Sequence, residues 1–171
     1  MLSYDELDAL IATCEDLEEL TFLHVGLFGG LRISEILGLR PGDILYGSYA
    51  VRVSAESAKG GKERISPVTP TTISLLRGLA AGLQPYQYIF SRKARAYQTR
   101  MEKLSEKAGV RRVNPHMLRH TCATMQLDMG VDLETVRANL GHSSVEITQI
   151  YLHLNIRQRR RKYQDAMRTV L

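Results

Sequence analysis

The segment PHMLRHT at residues 115–121 concentrates side chains that can bind an anion or move a proton. His116 and Arg119 are three positions apart, so a helix places both on one face, and His120 lies one turn beyond His116. An arginine fork matches the shape of a phosphate, and a neighbouring histidine can donate a hydrogen bond or transfer a proton. The segment is therefore a candidate anion site, although a polar helix face with one core histidine would show the same spacing.

A metal site is the other chemical interpretation of these histidines. His116 and His120 could bind zinc together from one helix face. However, no glutamate follows His116 as it does in the HExxH motif, and no carboxylate nearby in the sequence is an obvious third ligand. We therefore expect the chemistry to use no metal ion and no other cofactor.

Further cations stand in settings that call for a partner. Arg32, in GLRISEILGLR, lies between an apolar helix and a short amphipathic one, where an unpaired charge is costly. Its partner is either Glu35, three residues on, or a phosphate of a substrate. Lys59 and Lys62 flank two glycines in SAKGGKERISPV, at the tip of an expected hairpin. The tip is either an ordinary solvent-exposed turn or a mobile hairpin whose lysine delivers a proton into a groove.

The segment LGHSSVEITQIYLHL, residues 140–154, separates His142 from Tyr151 by nine positions. On one continuous helix these two side chains would face opposite sides. The segment Gly141–Ser143 predicts a helix break, which lets both side chains turn toward one site. A phenol has a pKa of about 10 and is a weak nucleophile unless a base or cations assist it.

Charge is distributed unevenly along the 171 residues. The net charge is +5, yet residues 1–20 hold seven of the 18 acidic residues and none of the 23 lysines and arginines. The basic residues cluster at 92–112 and at 157–162. Such a surface attracts a polyanion such as nucleic acid, and the alternative is a solvated helix face.

Hydrophobic spacing predicts a mainly α fold with one small three-stranded antiparallel sheet, in a single domain over residues 1–171. A capping box at Ser3–Glu6 starts the first helix, and a second capping box is expected at Ser143–Glu146. Strands are expected on either side of a two-residue turn at Gly47–Ser48, with a third at 63–68. Two later helices are expected to begin at Pro70 and at Pro115, and a short helix is expected to follow Asp132 and end at Leu140. Two more are expected over residues 94–108 and 156–170.

The remaining composition is that of an ordinary cytoplasmic protein. The longest nearly apolar run, Leu20–Leu31, is too short to span a bilayer, and no secretion leader is expected. Cys14 and Cys122 are far apart and form no CxxC motif, so two buried thiols are expected.

Taken in order, these residues resemble the catalytic set of the tyrosine recombinases, the phage-integrase and Xer-type family. The matching positions are Arg32, Lys59, His116-x-x-Arg119, His142 and Tyr151. The surrounding words GLRISEILGLR, KGGKERISPV, PHMLRHTCAT and LGHSSVEITQIYLH match as well, so that the resemblance covers essentially the whole chain. It implies the fold of a DNA breaking-rejoining enzyme and the activity of a site-specific recombinase or integrase.

The resemblance also implies a role for each position. Tyr151 attacks a DNA phosphodiester to give a 3′-phosphotyrosyl intermediate and a free 5′-hydroxyl, and the strands are then rejoined without metal or ATP. Arg32 and Arg119 hold the non-bridging oxygens. Lys59 protonates the leaving oxygen. His116 handles the tyrosine proton, and His142 donates a hydrogen bond to the phosphate. Glu35 and His120 support these residues from behind.

Partners follow from the same resemblance. Double-stranded DNA is the expected partner, with phosphate contacts expected at Lys62, Arg64, Arg95, Arg100, Arg157 and Arg159. The apolar stripe of the final helix, Ile156 to Val170, either packs back onto this domain or docks on a neighbouring protomer. The N-terminal clamp domain usual in the family is absent from this sequence, and a location at the nucleoid, or in the host cytoplasm for a viral protein, is expected.

Other functions remain open from the residues alone. A type IB topoisomerase would use a similar set of side chains to relax supercoils. A DNA-binding module could occupy sites without cutting them, and a histidine-ligated metalloprotein is the third possibility.

Overall fold

The computed structural model of the protein describes residues 1–141 and 144–168, and the side chains of all of these except 144–146 and 162. The predictions for His142, for a capping box beginning at Ser143 and for Val170 concern residues or side chains outside this part.

The chain forms eight α-helices and three strands within the described residues. Two short 3-10 helices, Pro41–Asp43 and Tyr46–Ser48, flank the first strand. The strands are β1 (Ile44–Leu45), β2 (Ala50–Val53) and β3 (Arg64–Pro67). The helices are α1 (Tyr4–Ala12), α2 (Leu17–Phe28), α3 (Ile33–Leu37), α4 (Pro70–Ala80), α5 (Ala94–Lys107), α6 (Pro115–Asp128), α7 (Leu133–Leu140) and α8 (Ser144–Arg168). The predicted mainly α architecture with one small sheet is confirmed.

Side-chain caps explain where several helices begin. Ser3 accepts a hydrogen bond from the backbone N–H of Glu6 at 3.2 Å, and the Glu6 carboxylate accepts from the Ser3 N–H at 2.7 Å. This reciprocal pair is the predicted capping box of α1. Asn114 and Asp132 each accept from the backbone N–H three residues on, at 2.9 Å, and so start α6 and α7.

The sheet is antiparallel in the order β1-β2-β3, with Ile44 opposite Val51 and Val51 opposite Ser66. The predicted two-residue turn at Gly47–Ser48 is wrong. Instead, a 3-10 turn over Tyr46–Ser48 leads into Tyr49, whose φ of 47° is left-handed. Because this longer connection takes up Tyr46, β1 ends at Leu45.

Helix α2 lies at the centre of the main core and packs against α4 and α6. Its side chains Phe22, Leu23 and Leu27 are almost completely buried. Residues of α6, α7 and α8 form a second cluster, which includes Cys122, Val136, Leu140, Ile147 and Leu154. The two clusters meet at α6, which therefore holds one fixed position between α2 and the C-terminal helices.

The last helix differs from the expectation. The prediction of a separate start near residue 156 is wrong, because α8 runs without a break from Ser144 to Arg168. Its packing on the domain extends as far as Leu154, which is 7% exposed, whereas Ile156 and Tyr163 are 65% and 66% exposed. The apolar stripe of residues 156–166 therefore does not pack back onto this chain.

Both cysteines are free thiols, Cys122 buried and Cys14 partly buried. In the described ranges, no helix is both long enough and apolar enough to cross a bilayer.

Candidate active site

The site is organised around the buried carboxylate of Glu35, whose side chain has no solvent exposure. Glu35 is in the first turn of α3, and its Oε2 accepts from the backbone N–H of Arg32 at 2.8 Å, which fixes the start of that helix. The Arg32 guanidinium donates to Oε1 at 3.1 Å. Arg64 on β3 completes the set by forking onto both oxygens at 2.8 Å each.

The surroundings of Glu35 keep it ionised. Burial alone would raise the pKa of this carboxyl, but the hydrogen bonds from Arg64 and from the Arg32 backbone, together with the charges of both arginines, lower the pKa below its ordinary value. Both possibilities considered for Arg32 are therefore compatible: it is paired with Glu35, and its side chain remains 20% exposed.

Arg119 approaches the same site from the second turn of α6. It is only 6% exposed, and it donates to the carbonyl oxygens of Gly30 at 2.6 Å and Gly141 at 3.2 Å. Burial and then the nearby charge of Arg32 lower the pKa of Arg119 to about 10. A bound anion would offset this lowering of the pKa, since it would supply the negative charge that two clustered arginines need.

A pocket of about 390 Å³ opens beside these groups. Its wall includes Arg32, Arg64 and Gly141 together with Lys59 and Lys62. Both lysines are exposed in the connection between β2 and β3, where the N–H of Gly61 closes a turn onto the Ala58 carbonyl at 3.0 Å. The connection that carries the lysines therefore borders the same pocket as Arg32 and Arg64.

The histidines of α6 are not among the described residues that line this pocket. His116 is exposed in the first turn of α6 and lines a neighbouring pocket with Ile33, the residue that follows Arg32. His120 is partly buried and lines a different pocket, together with Gln149 and His153 of α8. His116 thus borders the arginine site, whereas His120 faces the helix that carries Tyr151.

Tyr151 is partly buried in the second turn of α8 and packs against the second core cluster. It is not among the described residues that line the cationic pocket. The pocket thus brings Arg32 and Lys59 together. Arg119 is not among its described lining residues either, but it donates to Gly141, which lines the pocket, and the phenol is on the adjoining helix.

The expected phosphate contacts fall into two groups. Lys62, Arg95, Arg157 and Arg159 are exposed. Arg64 is instead 10% exposed and forked onto Glu35, and Arg100 pairs with Glu15 at 3.1 Å and with Glu19. These two arginines are committed to carboxylates within the chain, so their charges are not displayed as the sequence interpretation assumed.

The acidic N-terminal region explains part of the basic cluster at 92–112. Asp16 pairs with Arg92 at 2.8 Å, and Glu15 accepts from Lys107 at 2.5 Å. These contacts join the start of α2 to α5 across the surface. Much of the expected polyanion-binding charge in this cluster is therefore neutralised within the chain.

Sequence reasoning missed the carbonyl groups that hold Arg119. Gly30 has φ of 62° and Gly141 has φ of 70°, which is the left-handed region that favours glycine. The available signal was a glycine shortly before each of two candidate residues, Arg32 and His142.

No three His, Cys, Asp or Glu side chains in residues 1–141 and 144–168 are grouped so that they could hold a metal ion.

Known proteins are similar to this chain in sequence and in fold. The profile of the phage integrase family matches residues 1–158. Tyrosine recombinase XerC of Chlamydia caviae is 31% identical over 184 aligned positions, covering 96% of this chain and 58% of that protein. The crystal structure of XerA recombinase is 30% identical with a TM-score of 0.79, over 96% of this chain and 64% of that chain. XerH site-specific recombinase, solved in a pre-cleavage complex with difH substrate, is 26% identical with a TM-score of 0.72, over 92% of this chain and 51% of that chain.

The chain spans somewhat more than half the length of the XerC relative. The family match nevertheless includes every residue that builds the cationic pocket, and it extends past Tyr151. By sequence and by fold, the chain belongs to the phage integrase family of tyrosine recombinases.

Proposed function

We propose that this chain is the catalytic part of a site-specific DNA recombinase, which cuts one strand through Tyr151 and later rejoins it. The observation that carries the proposal is a pocket lined by Arg32 and Lys59, with Arg119 donating to the carbonyl of Gly141 in its wall, in a member of this family. A phosphodiester is the anion that such a set of cations and a phenol nucleophile could share.

The two arginines stabilise the transition state. As the phosphoryl group is transferred, charge spreads over its equatorial oxygens, so cations that are already in place bind the transition state better than the ground state. Arg32 is oriented by Glu35, and Arg119 is oriented by the carbonyls of Gly30 and Gly141. Little reorganisation is needed when the phosphate enters.

Lys59 supplies the proton for the leaving group. Departure of a 5′-alkoxide requires an acid, and the β2–β3 connection places this exposed ammonium group at the pocket that Arg32 also lines. Lys62 lines the same pocket and is the alternative acid.

Tyr151 is the nucleophile, with His116 receiving its proton and His142 donating to the phosphate. The phenol packs against the second core cluster, on the helix that adjoins α6, and from there it would attack the phosphate held by the arginines. The phosphotyrosyl ester conserves the energy of the broken bond, so a 5′-hydroxyl can reverse the attack without ATP.

Duplex DNA is the proposed partner. The related XerH was solved with difH substrate. In this chain, the exposed cations Arg95, Arg157 and Arg159 provide phosphate contacts outside the pocket, and Lys62 provides one at the pocket itself. Within a cell the protein would work where DNA is, at the nucleoid or in the host cytoplasm of a virus.

A nicked suicide substrate tests the activity. After cleavage it loses the short strand that carries the 5′-hydroxyl, so the covalent protein–DNA adduct accumulates. We expect adduct in the presence of EDTA, none with Tyr151→Phe, and wild-type yield with Tyr86→Phe, a control at a tyrosine that is 72% exposed. Binding without adduct would identify a non-cutting module, and loss of adduct in EDTA would identify a metalloprotein. Relaxation of supercoils without recombination would favour a topoisomerase.

Self-association on DNA is the second part of the proposal. Ile156 and Tyr163 form an exposed apolar stripe on α8 beyond the last residue that packs on the domain. A neighbouring protomer on the same DNA would bury this stripe, which links the subunits that exchange strands.

A further inference from the structure

Arg64 has a buried position and a set of partners that the proposed mechanism does not use. Its side chain is 10% exposed. Nη1 and Nη2 donate in parallel to the two oxygens of Glu35, and Nε donates to the backbone carbonyl of Asn139 at 3.0 Å. Three N–H groups of the guanidinium are therefore engaged within the chain, which leaves this arginine poorly placed to bind DNA from outside.

These contacts connect three segments that carry the candidate chemistry. Glu35 holds Arg32 at the start of α3. Asn139 is in the last turn of α7, immediately before the loop that leads to His142. Arg64 itself begins β3, five residues after Lys59 in the same connection. One guanidinium thus ties the Arg32 helix, the Lys59 hairpin and the end of α7 to each other.

The packing at Gly141 shows how closely these segments meet. A Cβ atom added at Gly141 would lie 3.0 Å from Nη1 of Arg64 and 3.1 Å from its Cδ. The backbone that leads to His142 therefore rests directly on the Arg64 side chain. Any movement of Arg64 would be transmitted to this loop as well as to Glu35.

We propose that Arg64 is a positioning residue, which sets the orientation of Arg32 through Glu35 and aligns the Arg32 helix with the hairpin that carries Lys59. This inference rests on the proposed function, since it assigns a role within that reaction. Arg64 lines the same pocket, but three of its N–H groups are committed to Glu35 and Asn139. It acts because a planar fork can satisfy both carboxylate oxygens at once and still reach the Asn139 carbonyl with Nε.

Lysine cannot replace this geometry. A single ammonium group is a point charge on a flexible stem, and it cannot donate two parallel bonds to Glu35 and a third to Asn139. Arg64→Lys therefore preserves the charge, and with it the compensation of buried Glu35, while it removes the alignment. Misplacement of a reacting group by about 1 Å can slow a reaction by roughly a hundredfold.

The test compares cleavage, DNA affinity and stability for Arg64→Lys and for Arg52→Lys. Arg52 is a matched control on the same sheet, 43% exposed and paired loosely with Glu63 at 3.8 Å. For Arg64→Lys we expect single-turnover cleavage of the suicide substrate to fall by roughly ten- to a hundredfold, with the Kd for DNA unchanged. Arg52→Lys should cleave like wild type. An Arg64→Lys variant that cleaves at the wild-type rate, or that loses activity only through weaker DNA binding, would overturn the inference.

A double-mutant cycle separates positioning from general support of the fold. If Arg64 acts through Arg32, the cleavage penalty of Arg64→Lys should largely disappear in an Arg32→Lys background, while its effect on the melting temperature stays additive. Full additivity of the cleavage penalties would contradict the inference. Should Arg64→Lys fail to fold, Glu35→Gln retains the shape of the carboxylate and must show the same loss of cleavage; wild-type cleavage by Glu35→Gln would refute the inference.

A binding measurement distinguishes failure of this inference from failure of the proposed function. If the wild-type chain forms no adduct, the recombinase proposal fails, but the orientation of Arg32 can still be measured with sulfate as the anion. Sulfate should raise the melting temperature of the wild type and of Arg52→Lys more than chloride does at equal ionic strength. An undiminished sulfate effect in Arg64→Lys would show that Arg64 does not organise the anion site.

Discussion

Arg119 donates from Nη1 to the carbonyl oxygen of Gly30 at 2.6 Å, and this contact joins the middle of α6 to the loop just before Arg32. Nη2 of the same guanidinium reaches the carbonyl of Gly141 at 3.2 Å, immediately before His142. A side chain expected to bind phosphate thus also fixes the two loops from which other phosphate-binding groups extend. Both carbonyls are oriented by glycines with positive φ, so the backbone conformation is part of the site.

Gly30→Ala should therefore damage the site and the fold together. The alanine would have to adopt a φ of 62°, and its Cβ would lie 2.0 Å from Cδ2 of the fully buried Leu140. Left-handed strain costs about 1–2 kcal/mol, and overpacking adds about 1–3 kcal/mol. We expect a loss of roughly 2–5 kcal/mol in the free energy of unfolding, measured by urea denaturation.

Gly109→Ala is the matched control for this prediction. Gly109 has a similar φ of 67°, but a Cβ there meets nothing within 4 Å. It should lose only the strain, about 1–2 kcal/mol. Equal losses in the two variants would show that the contact between Gly30 and Leu140 does not constrain the loop.

The parts of the fold that could be predicted are those set by local sequence. Ser3 and Asn114 cap their helices through atoms three residues away, so the sequence carries the whole signal. The spacing of His116 and Arg119 is likewise a local property of α6. The order of the motifs carried further information. Neither Arg32 nor Lys59 alone indicates a catalytic role, whereas the ordered set of residues does.

Burial and pairing could not be predicted in the same way. Arg64 and Arg95 were given the same expected role, yet one is 10% exposed beside Glu35 and the other is exposed on α5. The sequence shows the charge of each arginine but not its environment. The partner that buries Arg64, for example, is Glu35, which is 29 positions away in the sequence. The unbroken α8 was missed for a related reason, since its packing partner changes after Leu154 while its helical pattern continues.

The ionised state of Glu35 predicts a pH-dependent stability. Because the pKa of this buried carboxyl is held below its ordinary value of 4.5, its stabilising contribution is present above about pH 4.5 and is lost as the pH falls through the folded-state value. Breaking such a buried pair costs about 3–5 kcal/mol. Glu35→Gln should therefore be less stable than wild type at pH 7, and the gap should narrow on acidification, as measured by urea denaturation at a series of pH values.

The control for this pH series is Glu63→Gln. Glu63 is 61% exposed and pairs with Arg52 at 3.8 Å, so this substitution should change stability by less than about 0.5 kcal/mol at any pH in the series. A stability gap between Glu35→Gln and wild type that stays constant down to pH 3 would mean that the Glu35 carboxylate does not ionise as its contacts require.

The hairpin lysines can be distinguished by changing the leaving group. Lys59→Ala should slow cleavage of ordinary DNA by about 10²–10⁴-fold, the range typical of general acid catalysis. A substrate with a bridging 5′-phosphorothiolate should restore the rate, because a thiolate departs without protonation. Lys62→Ala, on the same connection and lining the same pocket, should cleave both substrates nearly as wild type does. Rescue of Lys62→Ala instead would transfer the role of acid to Lys62.

The exposed stripe of α8 predicts that single subunits and assembled subunits respond differently to one substitution. Ile156 is 65% exposed, so Ile156→Lys should leave the melting temperature of the isolated chain almost unchanged, because a substitution at such a surface position alters stability by about 0.5 kcal/mol or less. On DNA with two binding sites, however, it should weaken cooperative occupancy, since a neighbouring protomer would have to bury an ammonium group. Gln158→Ser, an exposed polar change on the same helix, is the control. Sedimentation of the protein–DNA complexes measures occupancy. Unchanged cooperativity together with a markedly lower melting temperature would show that the stripe packs on its own chain.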